Sequence, residues 1–341
     1  MRINEFLHMN KGDGELSYVQ NSFDQNGVWL MNQHLIESTI QYLISKDKGL
    51  IKGLNVADLG CGVGHVPLAL VSLITEIMQR KFKELRLDSE PSCFLMGVPG
   101  SYYDVLFPRN SLHFVHSNFT LHWLSKTPWL LDNQGMSINK GNIHIVETSP
   151  KPVVEAYWAQ FEPDFSQFLK CRSKEVVTNG FMLLTLTGSP CSTDSLIWTP
   201  CVTKILNEAL ICLISEGLIK EEKLDSFEFP MYLASTKQLE IIVQKEGSFA
   251  VEHSETTELD VAPEIEDKLQ RPKILTKVFR AYSESILPHH FGEEIITVIY
   301  DKFTHYAFQH LVQDKTFEHY AVTVVLEQNC KGVAVFLDFE A

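Results

Sequence analysis

A short apolar run that opens into a glycine-rich turn constrains the fold more than any other part of the chain. Leu54-Asn-Val-Ala-Asp-Leu59 is typical of a buried strand, and Gly60-Cys-Gly-Val-Gly64 leads from it into a helical pattern over residues 66–85. Glycines let the backbone approach a ligand closely, and the N-terminus of the following helix can face an anionic group. The segment therefore predicts a ligand-binding turn at the end of a strand in an open sheet.

Alternation of strand and helix patterns continues along the rest of the chain. It predicts an α/β fold with a mainly parallel, Rossmann-like sheet, and a helix-rich stretch interrupts it. The strand candidates after the first are residues 93–97, 112–116, 181–186, 249–259 and 320–326, and the helical patterns are 29–43, 66–85, 152–177, 202–213, 236–245, 276–287 and 293–311.

These patterns divide the chain into four parts. Residues 1–50 form an N-terminal arm and helix, and residues 51–186 form the α/β core. Residues 187–245 are predicted to be a helical cap over the edge of the sheet, and residues 246–341 complete the core and the cap.

Charge and cysteine usage limit the class of partner and the compartment. The 341 residues carry 43 acidic and 29 basic side chains, a formal charge of −14, which argues against nucleic acid and membrane surfaces as partners. The seven cysteines contain no CxxC pair, so reduced thiols are the simplest interpretation. Residues 1–14 lack the apolar core of a signal peptide, and the longest apolar run, 66–74, is too short to cross a bilayer. We expect a cytoplasmic protein.

Two further segments carry polar and aromatic groups suited to a binding site. Met9-Asn-Lys-Gly-Asp-Gly-Glu-Leu-Ser-Tyr18, continued by Asn21-Ser-Phe-Asp-Gln25, is a loop rich in hydrogen-bonding side chains. Gly97-Val-Pro-Gly-Ser-Tyr-Tyr103 precedes a strand candidate, and Leu121-His-Trp123 follows it. Ligand sites of open α/β sheets lie at such strand ends.

Together with the glycine-rich turn, these segments resemble the SABATH family, plant S-adenosylmethionine (SAM)-dependent carboxyl and N-methyltransferases. The turn has the form Asp-x-Gly-x-Gly-x-Gly that SAM methyltransferases use. The resemblance covers nearly the whole chain. It continues through Asn139-Lys-Gly-Asn-Ile143, Tyr157-Trp-Ala-Gln-Phe161, Glu216-Gly-Leu-Ile219, Glu221-Glu-Lys-Leu-Asp-Ser-Phe227, Glu246-Gly-Ser-Phe249 and His290-Phe-Gly292.

The resemblance implies two ligand sites. In the family the arm closes over both ligands. The residues implied to bind SAM are Tyr18, Ser22, Asp58, Gly60, Cys61, Gly64, Ser101 and Tyr102. The residues implied to bind the substrate are Gln25, Phe119, His122, Trp123, Trp198 and Tyr232, and of these Gln25, His122 and Trp123 position the reacting group.

The resemblance also implies a structural Mg²⁺ ion and a reaction. The metal positions correspond to Asn139, Asp225, the carbonyl of Phe227, and Glu228, which replaces the usual Asn. The reaction it implies is methyl transfer from SAM to the carboxylate of a small aromatic or isoprenoid acid, giving a methyl ester, with N-methylation of a xanthine-like substrate as the alternative. A carboxylate is ionised at neutral pH, so its methylation requires no general base. Family members are commonly homodimers.

The chain departs from the family pattern between the glycine-rich turn and Gly97. About two dozen residues, including a strand and the acid that binds the ribose of SAM, have no counterpart. Either Asp88 or Glu90 replaces that acid, or residues 93–96 lie beside the first strand and nothing replaces it. The second arrangement agrees better with residues 93–103, which match the family segment after the gap. An impaired paralogue with weakened SAM binding is therefore a further alternative.

Overall fold

A five-stranded sheet forms the centre of the molecule. The computed structural model describes residues 7–62, 65–85, 92–128, 130–190, 201–259, 267, 269–313 and 319–329. Within them the strands are β1 (Val56–Leu59), β2 (Leu112–Asn118), β3 (Val176–Thr187), β4 (Phe249–Leu259) and β5 (His319–Gln328), in the spatial order β1-β2-β3-β5-β4. β1, β2 and β3 are parallel, and β5 pairs antiparallel with both β3 and β4. Four strands therefore share one direction, as the predicted mainly parallel sheet requires.

Helices fill the connections between the strands. Helix boundaries follow local chemistry: α6, for example, begins after a capping box formed by Ser235 and Gln238 and ends at Gly247, which has φ of 82°. The helices are α1 (Phe23–Lys46), α2 (His65–Glu84), α3 (Lys151–Glu175), α4 (Cys201–Ser215), α5 (Glu221–Asp225), α6 (Thr236–Glu246), α7 (Arg271–Ser283), α8 (Leu287–Phe291) and α9 (Ile296–Gln313), with 3-10 turns at Lys48–Lys52 and Glu293–Ile295. Among the described residues no helix is both long and apolar enough to span a membrane.

Both faces of the sheet are covered, because side chains of successive strand residues point to opposite sides. Phe114 of β2 packs with α1 and α2, whereas its neighbour Val115 packs with α3 and α6. The result is a three-layer α/β fold, and the predicted fold class is confirmed.

A second apolar cluster forms the cap. It joins α4, α5, α7, α8 and α9 around buried side chains such as Leu206, Phe229, Phe279 and Phe303. Helix α6, which the sequence analysis assigns to the cap, instead packs Leu239, Ile242 and Val243 into the cluster beneath the sheet.

The strand predicted at residues 93–97 is absent. Residues 92–99 have no regular structure, and Phe94 and Met96 are 88% and 86% exposed. An apolar strand is stable in a sheet only where it pairs with a neighbour and buries one face, and this segment does neither. Within the described residues β1 is consequently an edge strand.

Candidate functional site

A cavity lies where the N-terminal arm, the strand ends and the cap meet. Its empty volume is about 620 Å³. Phe119, His122 and Trp123 follow β2, Thr187 ends β3, and His319 begins the antiparallel β5 at the same edge of the sheet. The remaining lining residues are Met9, Tyr18, Asp24, Gln25, Val202, Met231, Leu275, Val278 and Tyr282.

The glycine-rich turn after β1 has positive φ at both of its described glycines, and at Gly60 it also has no room for a side chain. Gly60 has φ of 70°, and a Cβ atom there would lie 2.3 Å from the side chain of Thr120. Gly62 has φ of 53°, and the ring of Tyr18 lies 3.6 Å from where its Cβ would be. The fold thus places Tyr18, on the arm, against the turn, as the family arrangement implies. Gly64 lies outside the described residues.

At the end of β1, the carboxylate of Asp58 contacts the imidazole of His116 in β2. The Nδ1 atom of His116 and Oδ1 of Asp58 are 2.7 Å apart. The second carboxylate oxygen, Oδ2, is buried and has no hydrogen-bond partner among the described residues. This oxygen can accept a hydrogen bond from a bound group. Together with the glycine turn it fits a cofactor that carries an amino group and a positive charge, as SAM does.

The other predicted cofactor residues that the structure describes are Ser22, Cys61, Ser101 and Tyr102. Ser22 is buried and its hydroxyl donates to the carbonyl of Val19 over 3.5 Å, and Cys61 is exposed. Although the residue as a whole is exposed, partial burial of its thiol and then the charge of Asp58 raise the pKa of Cys61, so the thiol is protonated at neutral pH. Ser101 accepts a hydrogen bond from the backbone N–H of Tyr103, and the ring of Tyr102 packs against that of Tyr103.

His122 is held as a neutral imidazole in the cavity wall. Burial, and then the neighbouring His319, lower the pKa of His122 to about 3. The backbone N–H of Thr187 donates to its Nδ1 atom over 3.3 Å. Because Nδ1 accepts a hydrogen bond, Nε2 carries the proton of the neutral ring. His122 can therefore donate one hydrogen bond and cannot act as a base at neutral pH.

Aromatic rings form two sides of the cavity. The ring of Trp123 packs between His122, Phe229 and Tyr282, with centroid distances of 5.4, 6.0 and 6.1 Å. Phe119 has φ of 51°, a conformation unusual for a bulky residue, which marks functional sites more often than ordinary loops. Flat rings on two sides suit a flat ligand.

The arm is attached to the cap by specific hydrogen bonds. The backbone N–H of Asn10 donates to the carbonyl of Ala281, and its side-chain amide donates to Glu284. Lys277 of α7 pairs with Glu15 over 2.5 Å. These contacts hold the arm against the cavity, so that Tyr18 and Gln25 reach its wall.

Polar groups that the sequence analysis did not assign also line the cavity. Asp24, in the first turn of α1, and His319 face each other, with 3.7 Å between Oδ2 and Nε2. Asp24 directly precedes Gln25, so it belongs to the arm motif that the sequence identified as part of a binding site. Nothing in the sequence singled out His319 except its position next to a predicted strand.

One predicted substrate residue, Tyr232, does not line the cavity. Tyr232 packs against Phe161 and Trp158 in the core, and its hydroxyl accepts a hydrogen bond from Gln238. Its backbone N–H donates to the carbonyl of His122, so it supports the wall from behind. Trp198 lies outside the described residues.

The predicted Mg²⁺ site is instead a network of hydrogen bonds within the protein. Tyr157 and Asn139 both donate to Oε2 of Glu228, over 2.9 and 3.2 Å, and Asp225 accepts from the backbone N–H of Gly141. Phe227 is buried among aromatic rings. Burial raises the pKa of Glu228 to about 8, which favours the neutral acid over the carboxylate that a cation needs. The described residues contain no group of three or more His, Cys, Asp and Glu side chains placed to hold a metal ion. The residues at the predicted position do not fit a Mg²⁺ site.

Comparison with known proteins identifies the family. The family model described as SAM-dependent carboxyl methyltransferase matches residues 4–91 and 82–329. The two matched pieces overlap at residues 82–91, in the region where about two dozen residues of the family pattern have no counterpart in this chain. A 3,7-dimethylxanthine N-methyltransferase of Camellia sinensis is 41% identical and caffeine synthase 1 of Camellia crassicolumna 40% identical. Each alignment covers 89% of this chain and 91% of the relative.

A solved structure extends the agreement to the fold. Loganic acid methyltransferase with S-adenosylhomocysteine (SAH) superposes with a TM-score of 0.83 at 30% identity, covering 95% of this chain and 99% of the other. The family match and the relatives confirm the resemblance seen in the sequence. The chain belongs to the SABATH family of SAM-dependent methyltransferases.

Proposed function

We propose that the protein transfers a methyl group from SAM to a ring nitrogen of a xanthine-like heterocycle. The observation that carries this proposal is the charge of the cavity. None of the described residues that line it is Lys or Arg, His122 is neutral, and Asp24 contributes an acidic side chain. A carboxylate substrate would be buried beside this carboxylate with no Lys or Arg side chain among the described lining residues to pair with it, which is unfavourable. A neutral heterocycle meets no such repulsion.

The hydrogen-bonding groups suit a ring that carries both carbonyl and N–H groups. His122 offers a donor at Nε2, whereas Asp24 offers a carboxylate and Gln25 a buried Oε1 with no hydrogen-bond partner among the described residues. Donors and acceptors thus lie together within aromatic walls formed by Phe119, Trp123 and Tyr282. A xanthine presents the complementary set in one plane.

The relatives support the same substrate class. The proteins of 40–41% identity reported above are named for methylation of xanthines and synthesis of caffeine, and each is matched over nine-tenths of its length. When bound, SAM supplies an electrophilic methyl group on a sulfonium. The chain's own residues bind the ring, orient it and exclude water, so that proximity and alignment lower the barrier.

Carboxyl methylation is the second candidate, and two observations favour it. The structural neighbour with a TM-score of 0.83 is named for loganic acid, and Gln25 and Trp123, the residues implied to hold a carboxylate, both lie in the cavity wall.

A substrate panel separates the two. Purified protein is incubated with radiolabelled SAM and with xanthine, 7-methylxanthine, 3,7-dimethylxanthine, salicylate, benzoate or loganic acid. We expect kcat/KM for the best xanthine to exceed that for the best acid by about 100-fold or more, because buried polar groups reject ligands that leave them unpaired. Faster methylation of an acid would overturn the proposal in favour of the second candidate.

A further inference from the structure

Asp24 and His319 face each other in the cavity wall, and no chemical step has so far been assigned to the pair. Their side chains are 10% and 13% exposed, and 3.7 Å separates Oδ2 of Asp24 from Nε2 of His319. That nitrogen is buried and has no hydrogen-bond partner among the described residues. The two residues come from opposite ends of the chain and meet only at the cavity wall.

Three other titratable side chains line the cavity with this pair. They are Tyr18 of the arm, Tyr282 of α7, and His122 from the segment after β2. The pKa values of both tyrosines are raised, first by burial and then by the charge of Asp24, so both hydroxyls are neutral. The ring of His319 stacks on Phe119, with centroids 6.3 Å apart and planes 19° apart.

A purely structural role accounts poorly for Asp24. An acid in the first turn of a helix interacts with the helix dipole, but this interaction is worth only about 0.3–1 kcal/mol and is satisfied by an exposed side chain. Asp24 is nearly buried, where an ionised group is costly to keep. A buried acid beside an imidazole in a cavity is a typical arrangement for proton transfer.

Methylation of a ring N–H requires a place for its proton. Such a nitrogen, unlike a carboxylate, still holds its proton at neutral pH. We propose that Asp24, paired with His319, accepts this proton during methyl transfer; the inference rests on the proposed function.

The step balances in atoms and charge. The ring nitrogen forms a bond to the methyl carbon while its N–H bond breaks, and the sulfur keeps the electron pair of the broken sulfur–methyl bond. The proton moves to the Asp24–His319 pair, so that one positive and one negative charge are both neutralised. Asp24 is then a catalytic residue that touches the substrate, and His319 is a positioning residue that shares the proton.

The test compares Asp24→Asn and His319→Gln with wild type, with Asp13→Asn as the control, since Asp13 is exposed on the same arm. With 3,7-dimethylxanthine we expect Asp24→Asn to lower kcat by about 10²–10⁴-fold. The wild-type kcat should fall towards acid pH as the pair takes up a proton, and the variant should lose this dependence. SAH affinity and Tm should stay near wild type, and Asp13→Asn should match wild type throughout.

Ligand binding gives a readout independent of turnover. In the presence of SAH, calorimetry compares 3,7-dimethylxanthine, which has a ring N–H, with 1,3,7-trimethylxanthine, which has none. Wild type should bind the first more tightly, and Asp24→Asn should bind the two nearly equally. If Asp24→Asn does not fold, His319→Gln provides the same comparison, with a smaller loss of kcat and a shifted pH profile.

The outcomes distinguish this inference from the proposed function. If wild type methylates xanthines and Asp24→Asn has an unchanged kcat, pH profile and ligand preference, this inference is wrong and the proposed function stands. Wild type that methylates only carboxylic acids would overturn the proposed function, and with it the need for a proton acceptor.

Discussion

A single carboxyl group under the cap makes the stability of the protein depend on pH. Burial raises the pKa of Glu228 from 4.5 to about 8. Its contribution to the free energy of unfolding is therefore fully present below pH 4.5, decreases as the pH rises, and is lost by about pH 8. Glu228→Gln keeps an oxygen for Tyr157 and Asn139 but carries no charge.

We therefore expect Glu228→Gln to match wild type near pH 4.5 and to be more stable above it. The difference should grow by about 1.4 kcal/mol for each pH unit in that window. Urea unfolding between pH 4.5 and 8, followed by circular dichroism, measures it. A variant that is less stable than wild type at pH 8 would mean that the carboxylate is bound and stabilised there, for example by a cation.

The sequence indicated part of the cavity wall for a definite physical reason. His122 and Trp123 directly follow a strand, and strand ends of open sheets carry ligand sites. The pairing of Asp24 with His319 was not predictable, because it arises only when α1 and β5 are packed together. Tyr232 was assigned to the wall by resemblance, and its packing against Phe161 depends on how the cap meets the sheet.

At the scale of elements, the arm acts on the cavity through its attachment to α7. Asn10 donates from its backbone to Ala281 and from its side chain to Glu284. Asn10→Ala removes the side-chain bond, which is charge-assisted and worth about 1.5–3 kcal/mol. Because Tyr18 and Gln25 belong to the same arm, we expect the KM for the substrate to rise at least about tenfold, with a small change in Tm.

Steady-state kinetics at saturating SAM measure this change. The matched control is Asn26→Ala, an exposed asparagine on α1 that does not line the cavity. An unchanged KM in Asn10→Ala would mean that the arm closes the cavity without this contact.

One strand was predicted with its correct bounds, and another predicted strand is absent. The strand predicted at 249–259 has those same bounds in the structure, where it pairs with β5 from Phe249 to Leu259. The segment 93–97 has strand-like composition but no neighbour to pair with, and its exposed Phe94 and Met96 bury no face. Composition alone does not reveal whether a partner strand exists.

At the scale of the whole molecule, the cavity lies between the strand ends of the sheet and the apolar cluster of the cap, and the arm is hydrogen-bonded to the cap. A ligand that binds only the folded chain stabilises that chain against unfolding, by an amount that mass action fixes. This linkage tests whether the departure from the family pattern before Gly97 has abolished cofactor binding.

We expect SAH at a hundred times its Kd to raise the free energy of unfolding by about 2.7 kcal/mol and Tm by a few degrees. Asp58→Asn should keep the contact with His116 but weaken SAH binding by about 10-fold or more, because a charge-assisted hydrogen bond from the amino group of SAH to the buried Oδ2 is lost. Differential scanning calorimetry over an SAH titration measures both effects, with Asp301→Asn, an exposed acid of α9, as the control. If the Tm of wild type does not respond to millimolar SAH, the protein is an impaired paralogue. If wild type and Asp58→Asn have equal Kd values for SAH, Asp58 does not belong to the cofactor site.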